Sequence, residues 1–537
     1  MTDATKKRLN VLMPVGIALI FVFGIQLGMR LGGGAQGANA NKDNQGVIGE
    51  ILNYIDAKYV DTVNNSKLEQ SAITGMLGDL DPHSTYIPAK ELQGVNEDLE
   101  GSFDGIGIEF YLVNDTINVI SVIKGGPSEK AGLKPVDKIV TINDSTVAGI
   151  KMTDDKVRHK LRGPKGTQVT VGIKREGTNG LLKISITRGA IPTSAIAASY
   201  MIDKEVGYIK LDEFSATCYN DFEKAITDLQ KQGMKKLIFD LRGNPGGLLN
   251  QATDIADEFL DQDKLIVYTK GRVYPESDYK ARVQGVFEQG SLVVLVDEGS
   301  ASASEIFSGA MQDWDRGTIV GRRTFGKGLV QEQYPLSDGS ALRLTVARYY
   351  TPSGRCIQKP YDKGDEAYYG DIMNRLHHGE LENADSVKLN KSEKYYTRIK
   401  HRVVYGGGGI MPDIFVPLDT SFSNNFLTKV LTQGTVTEFA YNYYNRHQND
   451  LGKYKTVADF KAGFTVDDNL YKAFIDYATK TGLKSTDEQV KQSSEPVRLR
   501  IKALIARELW GQAGFFSITN DDDNTFKKGY ETVVGMK

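Results

Sequence analysis

The sequence predicts a multidomain α/β chain in which a small β-rich domain precedes a core of parallel strands covered by helices, with further helical segments at both ends. Three observations carry this expectation. From Gly101 to Thr187, short β-type runs (Ile117 to Val122, Lys138 to Ile142, Thr167 to Lys174, Leu182 to Ile186) are punctuated by Gly and Pro. After Ile191, near-continuous apolar runs alternate with amphipathic stretches, the pattern of parallel strands buried under helices. With 537 residues, 40% hydrophobic and 25% charged, the chain is long enough for several cores and has an ordinary globular composition.

Taken in order, Lys6, Lys7 and Arg8 precede an uncharged run from Leu9 to Met29, about the length of a membrane-spanning helix. A basic flank stays cytoplasmic, so residues 1–31 are expected to anchor the chain in the inner membrane and export the rest. Ala38-Asn39-Ala40 offers the alternative of a cleaved signal peptide. Either way the body works on the periplasmic side of a bacterial envelope. Residues 32–45 form a Gly-rich linker. Residues 46–100 hold helices marked by Val47, Ile48, Ile51, Leu52 and Ile55, then Leu68, Ala72, Met76 and Leu80, a possible arm or dimer contact. The β-rich domain spans 101–188 and the α/β core 189–358. In that core Val206 to Leu211 leads to a helix with Phe222, Ala225, Ile226 and Leu229 on one face. Leu237 to Leu241 leads to another with Ala252, Ile255, Ala256 and Phe259, and Leu292 to Val296 to a third with Ile306, Phe307 and Ala310. A polar, less regular insertion covers 359–402, residues 403–418 return to the core, and 419–537 form a helical region with a clear stripe of Val497, Ile501, Leu504 and Ile505.

The net charge of −2 gives no reason to expect nucleic acid as a partner. Cys218 and Cys356 fit no metal or redox spacing, and neither metal nor cofactor is expected.

Chemistry concentrates where core strands end. Gly299-Ser300-Ala301-Ser302-Ala303-Ser304-Glu305 follows the strand Leu292 to Val296; small residues let a substrate backbone approach, and amides at a helix start face developing negative charge. Alone, such a turn is also an ordinary helix cap. Thr324-Phe325-Gly326-Lys327-Gly328 frames a lysine with glycines, with Gln331 four residues on. A lysine serves as general base only if burial or a neighbouring cation lowers its pKa; otherwise it is an exposed loop residue. Asp240-Leu241-Arg242-Gly243-Asn244-Pro245-Gly246-Gly247 closes another strand with a glycine turn able to offer amide donors, and it lacks the Lys and Ser/Thr of a phosphate loop.

These segments, with Leu80 to Tyr86 and Leu161 to Thr167, resemble the C-terminal processing peptidases, the tail-specific serine proteases of the S41 type, from about Leu80 to Gln358 and again over Gly406 to Pro417. The resemblance implies a crotonase/ClpP-like α/β protease core beside a PDZ domain. It makes Ser302 the nucleophile, Lys327 the general base and Gln331 the residue orienting that lysine. Ala303, with Gly246 or Gly247, would form the oxyanion hole. Gly105, Ile106, Gly107 and Ile108 would be the carboxylate-binding loop of the PDZ domain, whose strand edge takes a peptide by β-augmentation. Val136 stands where the family usually has glycine, which predicts a somewhat altered turn. His83 is expected to be structural, and Arg162 either couples the PDZ domain to the core or makes a surface ion pair. The expected activity is endopeptidase cleavage near protein C-termini, with protein or peptide substrates and a possible homo-oligomer or adaptor as partners. Rival expectations are a PDZ scaffold with a vestigial site, an envelope chaperone or adaptor, and a crotonase-like acyl-CoA enzyme.

Overall fold

A computed structural model describes residues 46–387 and 391–536. The expected anchor or signal segment and the linker lie outside the described residues. Among the described residues no helix is long and apolar enough to cross a membrane. The described residues divide into two compact units, the first ending at Leu80 and the second beginning at Asp81. In the first, α1 (Gly46–Lys58) and α2 (Asn65–Gly78) have no buried residue, and Asn65 Nδ2 donates to Asp56 Oδ1 at 2.9 Å. Asn64 starts α2 by accepting from Lys67 N, as a cap must to satisfy an orphan amide.

The second unit opens with β1 (Thr85–Ile87) and α3 (Ala89–Glu100). The β-rich domain is bracketed by antiparallel pairing of β2 (Ser102–Gly105) with β8 (Gly189–Pro192). Inside the bracket β3 (Ile108–Val113), β4 (Thr116–Val122), β5 (Lys138–Ile142), β6 (Gln168–Lys174) and β7 (Leu182–Thr187) lie in that order across one antiparallel sheet. Alternate residues such as Ile117, Val119, Val169, Val171 and Ile173 fill its core with Val157 and Leu161 of α4 (Asp154–Leu161). β3 is an edge, paired on one side only. Before β5, Val136 takes φ +72° while its N–H donates to Val119 O at 2.8 Å. The turn is therefore kept in the left-handed form glycine favours, and the valine adopts it.

The core sheet runs β9 (Ile196–Met201), β10 (Val206–Leu211), β11 (Lys236–Asp240), β14 (Ser291–Val296), β15 (Thr318–Gly321), β18 (Ile414–Phe415). All but β9 are parallel, and the central β14 is sealed on both faces, which is why Leu292 to Val296 reads as unbroken apolar sequence. One face carries α5 (Cys218–Lys231), α6 (Leu249–Asp257) and α7 (Ala303–Asp313), with Phe222, Phe239, Phe259 and Phe307 in mutual ring contact. A second sheet joins β12 (Leu265–Lys270), β13 (Ser277–Lys280), β16 (Leu329–Pro335), β17 (Ala341–Tyr350) and β1.

The C-terminal region includes the helices α8 (Asn425–Thr432), α9 (Thr435–Arg446), α10 (Asp468–Lys480), α11 (Ser494–Thr519) and α12 (Asn524–Gly535). The first four contribute to an apolar cluster of their own around Val497, Ile501 and Leu504. The last, α12, returns to the core and sets Phe526 and Val533 against Tyr208, Ile238, Val293 and Leu295 on the sheet's other face.

Candidate active site

Ser302 sits between β14 and α7 at φ +55°, ψ −112°, an unfavourable backbone for a residue with a Cβ. Its surroundings hold it there. Ser300 Oγ donates to Leu241 O (2.8 Å), Ala301 N to Asn244 O (3.0 Å) and Ser304 Oγ to Asn244 O (3.0 Å), pinning the serine turn to the Asp240 to Gly247 turn. Contact is so close that a Cβ on Gly246, at φ +104°, would lie 2.7 Å from Ser302 Cβ and 2.9 Å from Ala303 N. Only glycine fits. The Gly246 N–H donates to Asn244 Oδ1 at 2.8 Å, whereas the amides of Gly247 and Ala303 have no hydrogen-bond partner among the described residues.

Glu305 brings the lysine loop to the serine. Wholly buried, its Oε2 accepts from Ser302 N at 2.9 Å and from Lys327 N at 2.8 Å, while Oε1 accepts from Gly326 N (2.8 Å) and Thr324 Oγ1 (2.5 Å). Burial pushes its carboxyl up to about 7, against these four hydrogen bonds, which favour the anion. On the far side, Tyr349 Oη of β17 reaches the carbonyl of Ser302 at 3.0 Å and also that of Lys327. The glycine run after Tyr405 completes the loop's bed: Ile410 N donates to Thr324 Oγ1, and a Cβ on Gly409 would stand 2.7 Å from Thr324 O. Arg375, buried within the 359–402 segment, donates to the carbonyls of Arg323 and Thr324 and pairs with Glu380.

Lys327 is half-buried and its Nζ makes no ion pair among the described residues. Burial lowers its pKa from the ordinary 10.5, Arg343 lowers it further, and Glu305 and Asp81 oppose. In this conformation no hydrogen bond joins Lys327 Nζ to Ser302 Oγ among the described residues. Among the described residues, Gln331 is not hydrogen-bonded to Lys327 either. Its Nε2 donates to Thr345 Oγ1 at 3.3 Å, which donates to Asp81 Oδ1 at 2.9 Å. The Asp81 carboxylate also accepts from His83 N, Ser84 N and Ser84 Oγ, so this turn is a plug against the β16–β17 hairpin. His83 Nε2 lies 3.0 Å from Tyr368 Oη, and burial, then Lys327, lowers its pKa to about 4. It is neutral at pH 7, with an aromatic environment and, among the described residues, no serine partner.

At the PDZ loop, Gly107 takes φ +74°, Ser128 N donates to Ile106 O and Ile123 N to Gly107 O. Phe103, Ile106, Gly107, Ile108, Phe110 and Leu161 line a narrow cavity of about 40 Å³, flanked by Arg158 and Arg162. Arg162 stands 4.2 Å over the Phe103 ring and 3.6 Å from Glu97 of α3, whose neighbour Asn96 accepts from Gln333 of β16. Arg162 thereby pairs with Glu97 of α3, whose preceding residue Asn96 is hydrogen-bonded to the β16–β17 hairpin.

Of the residues that matter here, Glu305 was visible only as the end of the serine motif, although a Glu three residues after a Ser is the spacing of a helix capping box. Tyr349 and Thr345 gave no signal; they lie on a strand far from their partners in sequence.

A PDZ domain beside a parallel-sheet core, with Ser302 beyond the end of β14 and Lys327 beyond the end of the neighbouring β15, defines a class, the PDZ-bearing peptidases. The family models and the relatives in sequence agree. The peptidase family S41 model matches residues 205–365 and the PDZ model residues 105–186; a family of unknown function, DUF8443, matches 426–511. The carboxy-terminal-processing protease of Bartonella bacilliformis is 38% identical over 350 residues, 63% of this chain and 80% of that one. Carboxy-terminal processing protease CtpB of Bacillus subtilis is 37% identical over 315 residues, 58% of this chain and 65% of that one. A solved photosystem II D1 C-terminal processing protease aligns with 68% of this chain and 92% of its own at 27% identity and a TM-score of 0.35. The chain belongs to peptidase family S41, with the carboxy-terminal processing proteases, and is a serine-type protease carrying a PDZ domain.

Proposed function

We propose that this protein is an exported endopeptidase that captures C-terminal tails in its PDZ domain and cuts nearby peptide bonds with Ser302 and Lys327. The observation that carries the reading is Glu305 Oε2, which accepts from the backbone amides of both residues and so joins the serine turn to the loop of a lysine without an ion pair among the described residues. Neutral Lys327 takes the Ser302 hydroxyl proton as Oγ attacks the scissile carbonyl, then gives it to the leaving amine; water, deprotonated by the same lysine, then attacks the acyl carbon, and the proton passes to Ser302 Oγ as the Oγ–acyl bond breaks. The oxyanion is met by the amides of Ala303 and Gly247. Gly247 is favoured over Gly246 because the Gly246 amide is already committed to Asn244. Gln331, with its amide nitrogen on Thr345, keeps its carbonyl oxygen for the lysine once the two approach. The open Ser302–Lys327 pair suits a resting state that tail binding converts, with Arg162, Glu97 and the β16 strand as the connection. The basic flank and uncharged run at residues 6–29 support export to the periplasmic side of an envelope.

Cleavage of unfolded casein by the chain without its first forty residues tests this. The parent is expected to cut, and Ser302→Ala and Lys327→Ala to lose at least ~1000-fold in kcat/KM while keeping the parent's circular dichroism. Wild-type turnover in the lysine variant would remove Lys327 from the mechanism.

A further inference from the structure

The edge strand β3 separates its side chains into two sets. Ile108, Phe110 and Leu112 pack toward the PDZ core, which leaves Glu109 and Tyr111 on the other face. That face is covered. The Tyr111 ring meets Tyr441 of α9 edge to face at 5.3 Å, its hydroxyl donates to Glu508 Oε1 of α11 at 3.3 Å, and Arg507 stands 5.3 Å over it. One hairpin turn on, Asn114 N donates to Glu438 Oε1 at 3.1 Å. All four contacting residues belong to the 426–511 segment whose family has no known function.

A tail that adds to β3 as a further strand must alternate in the same way. Its terminal residue and the second before it face the groove with Ile108 and Phe110. The first and third before it face outward, opposite Glu109 and Tyr111, and so toward α9 and α11. Resting on the tail-capture reading above, we propose that the C-terminal helices form a second wall of the tail site, where Glu508 and Glu109 select a basic side chain at the third residue before the terminus. Two carboxylates share this corner with one guanidinium, Arg507. Burial pushes the Glu508 carboxyl up to about 7, Arg507 opposes this and Glu109 adds to it, so a further cation beside the two carboxylates is favoured. A lysine or arginine from the tail supplies it, whereas a glutamate there adds a third like charge.

The test uses the full chain carrying Ser302→Ala and short fluorescent peptides that differ only at that position, as Lys, Ala or Glu, with Kd read by anisotropy. The Lys peptide is expected to bind about fivefold or more tighter than the Glu peptide, the size of a partly exposed ion pair. Glu508→Gln narrows that ratio and Glu508→Lys inverts it, while the Ala peptide keeps its affinity in every variant, which shows that the wall has not collapsed. Equal affinities in the parent, or an unchanged ratio in Glu508→Lys, overturn the inference and leave tail capture standing. No binding of any peptide to the parent removes tail capture, and this inference with it.

Discussion

A buried carboxylate without partners costs several kcal/mol, so Glu305 persists only because four donors converge on it. Those donors belong to two separate loops, and satisfying Glu305 therefore ties the backbones of Ser302 and Lys327 together. The lysine's own chemistry is set by a different neighbour. Among the influences on Lys327, burial is largest and the Arg343 cation second, both acting against the ammonium form. A base that must be neutral becomes competent as pH rises through its pKa, so kcat/KM is expected to climb with pH and to level off below the ordinary lysine range. Removing the cation relieves the repulsion that disfavours the ammonium. The Arg343→Gln variant is accordingly expected to move the midpoint of the pH–kcat/KM profile upward and to be slower than the parent at neutral pH, with the plateau at high pH retained. A midpoint that stays in place while the plateau falls would mean that Arg343 acts by packing, through its bond to Gln333, instead of by charge.

At the level of elements, the parallel strands were legible because burial on both faces leaves no polar position: Leu237 to Phe239 and Leu292 to Val296 are all at most 1% exposed. Their helices were legible from apolar spacing. The β16–β17 hairpin was not, since half-exposed strands mix polar and apolar residues, and its role depends on Asp81, some 260 positions from Thr345. The 359–402 segment reads as polar, yet Arg375 and Glu380 are buried there because they satisfy each other; polarity in sequence does not reveal pairing in space. The turn before β5 shows the reverse case, where the sequence flagged a position and the structure shows what it costs. Val136 is 44% exposed, so its side chain gains little from packing, while φ +72° sets its Cβ against the following carbonyl. Val136→Gly is expected to stabilise the β4–β5 turn by ~0.5–1 kcal/mol after the extra entropy of glycine in the unfolded chain is subtracted. Hydrogen exchange at the β4 and β5 amides reads this directly, as protection raised about two- to fivefold; slower protection gain than that, or a loss, would place favourable valine contacts at the turn.

For the whole second unit, the C-terminal helices serve two neighbours. Through α9 and α11 they cover the outer face of the PDZ edge strand, and through α12 they close the core sheet. An apolar stripe in sequence says that a helix is covered, not by what, so neither docking could be read in advance. The α12 contact reaches the candidate site. Arg242, within the glycine turn that abuts Ser302, is held between Asp240 and Asp523, the residue that caps α12 by accepting from Phe526 N. Asp240 remains ionised inside the protein: burial opposes its charge, but Arg242 and Lys210 outweigh burial and bring it to about 2. Asp523→Ala takes away one arm of this bridge and a helix cap together, a loss of ~1–2 kcal/mol at the helix start. Local opening of α12 is then expected to increase about five- to thirtyfold, seen as faster exchange in residues 524–535 and on β14, which Phe526 and Val533 cover. Because Arg242 keeps Asp240, the turn at Gly246 is expected to hold and casein cleavage to fall less than about threefold. A far larger loss of cleavage with unchanged exchange would instead make Asp523 a positioning residue for the glycine turn, acting through Arg242 on the amides that face the serine.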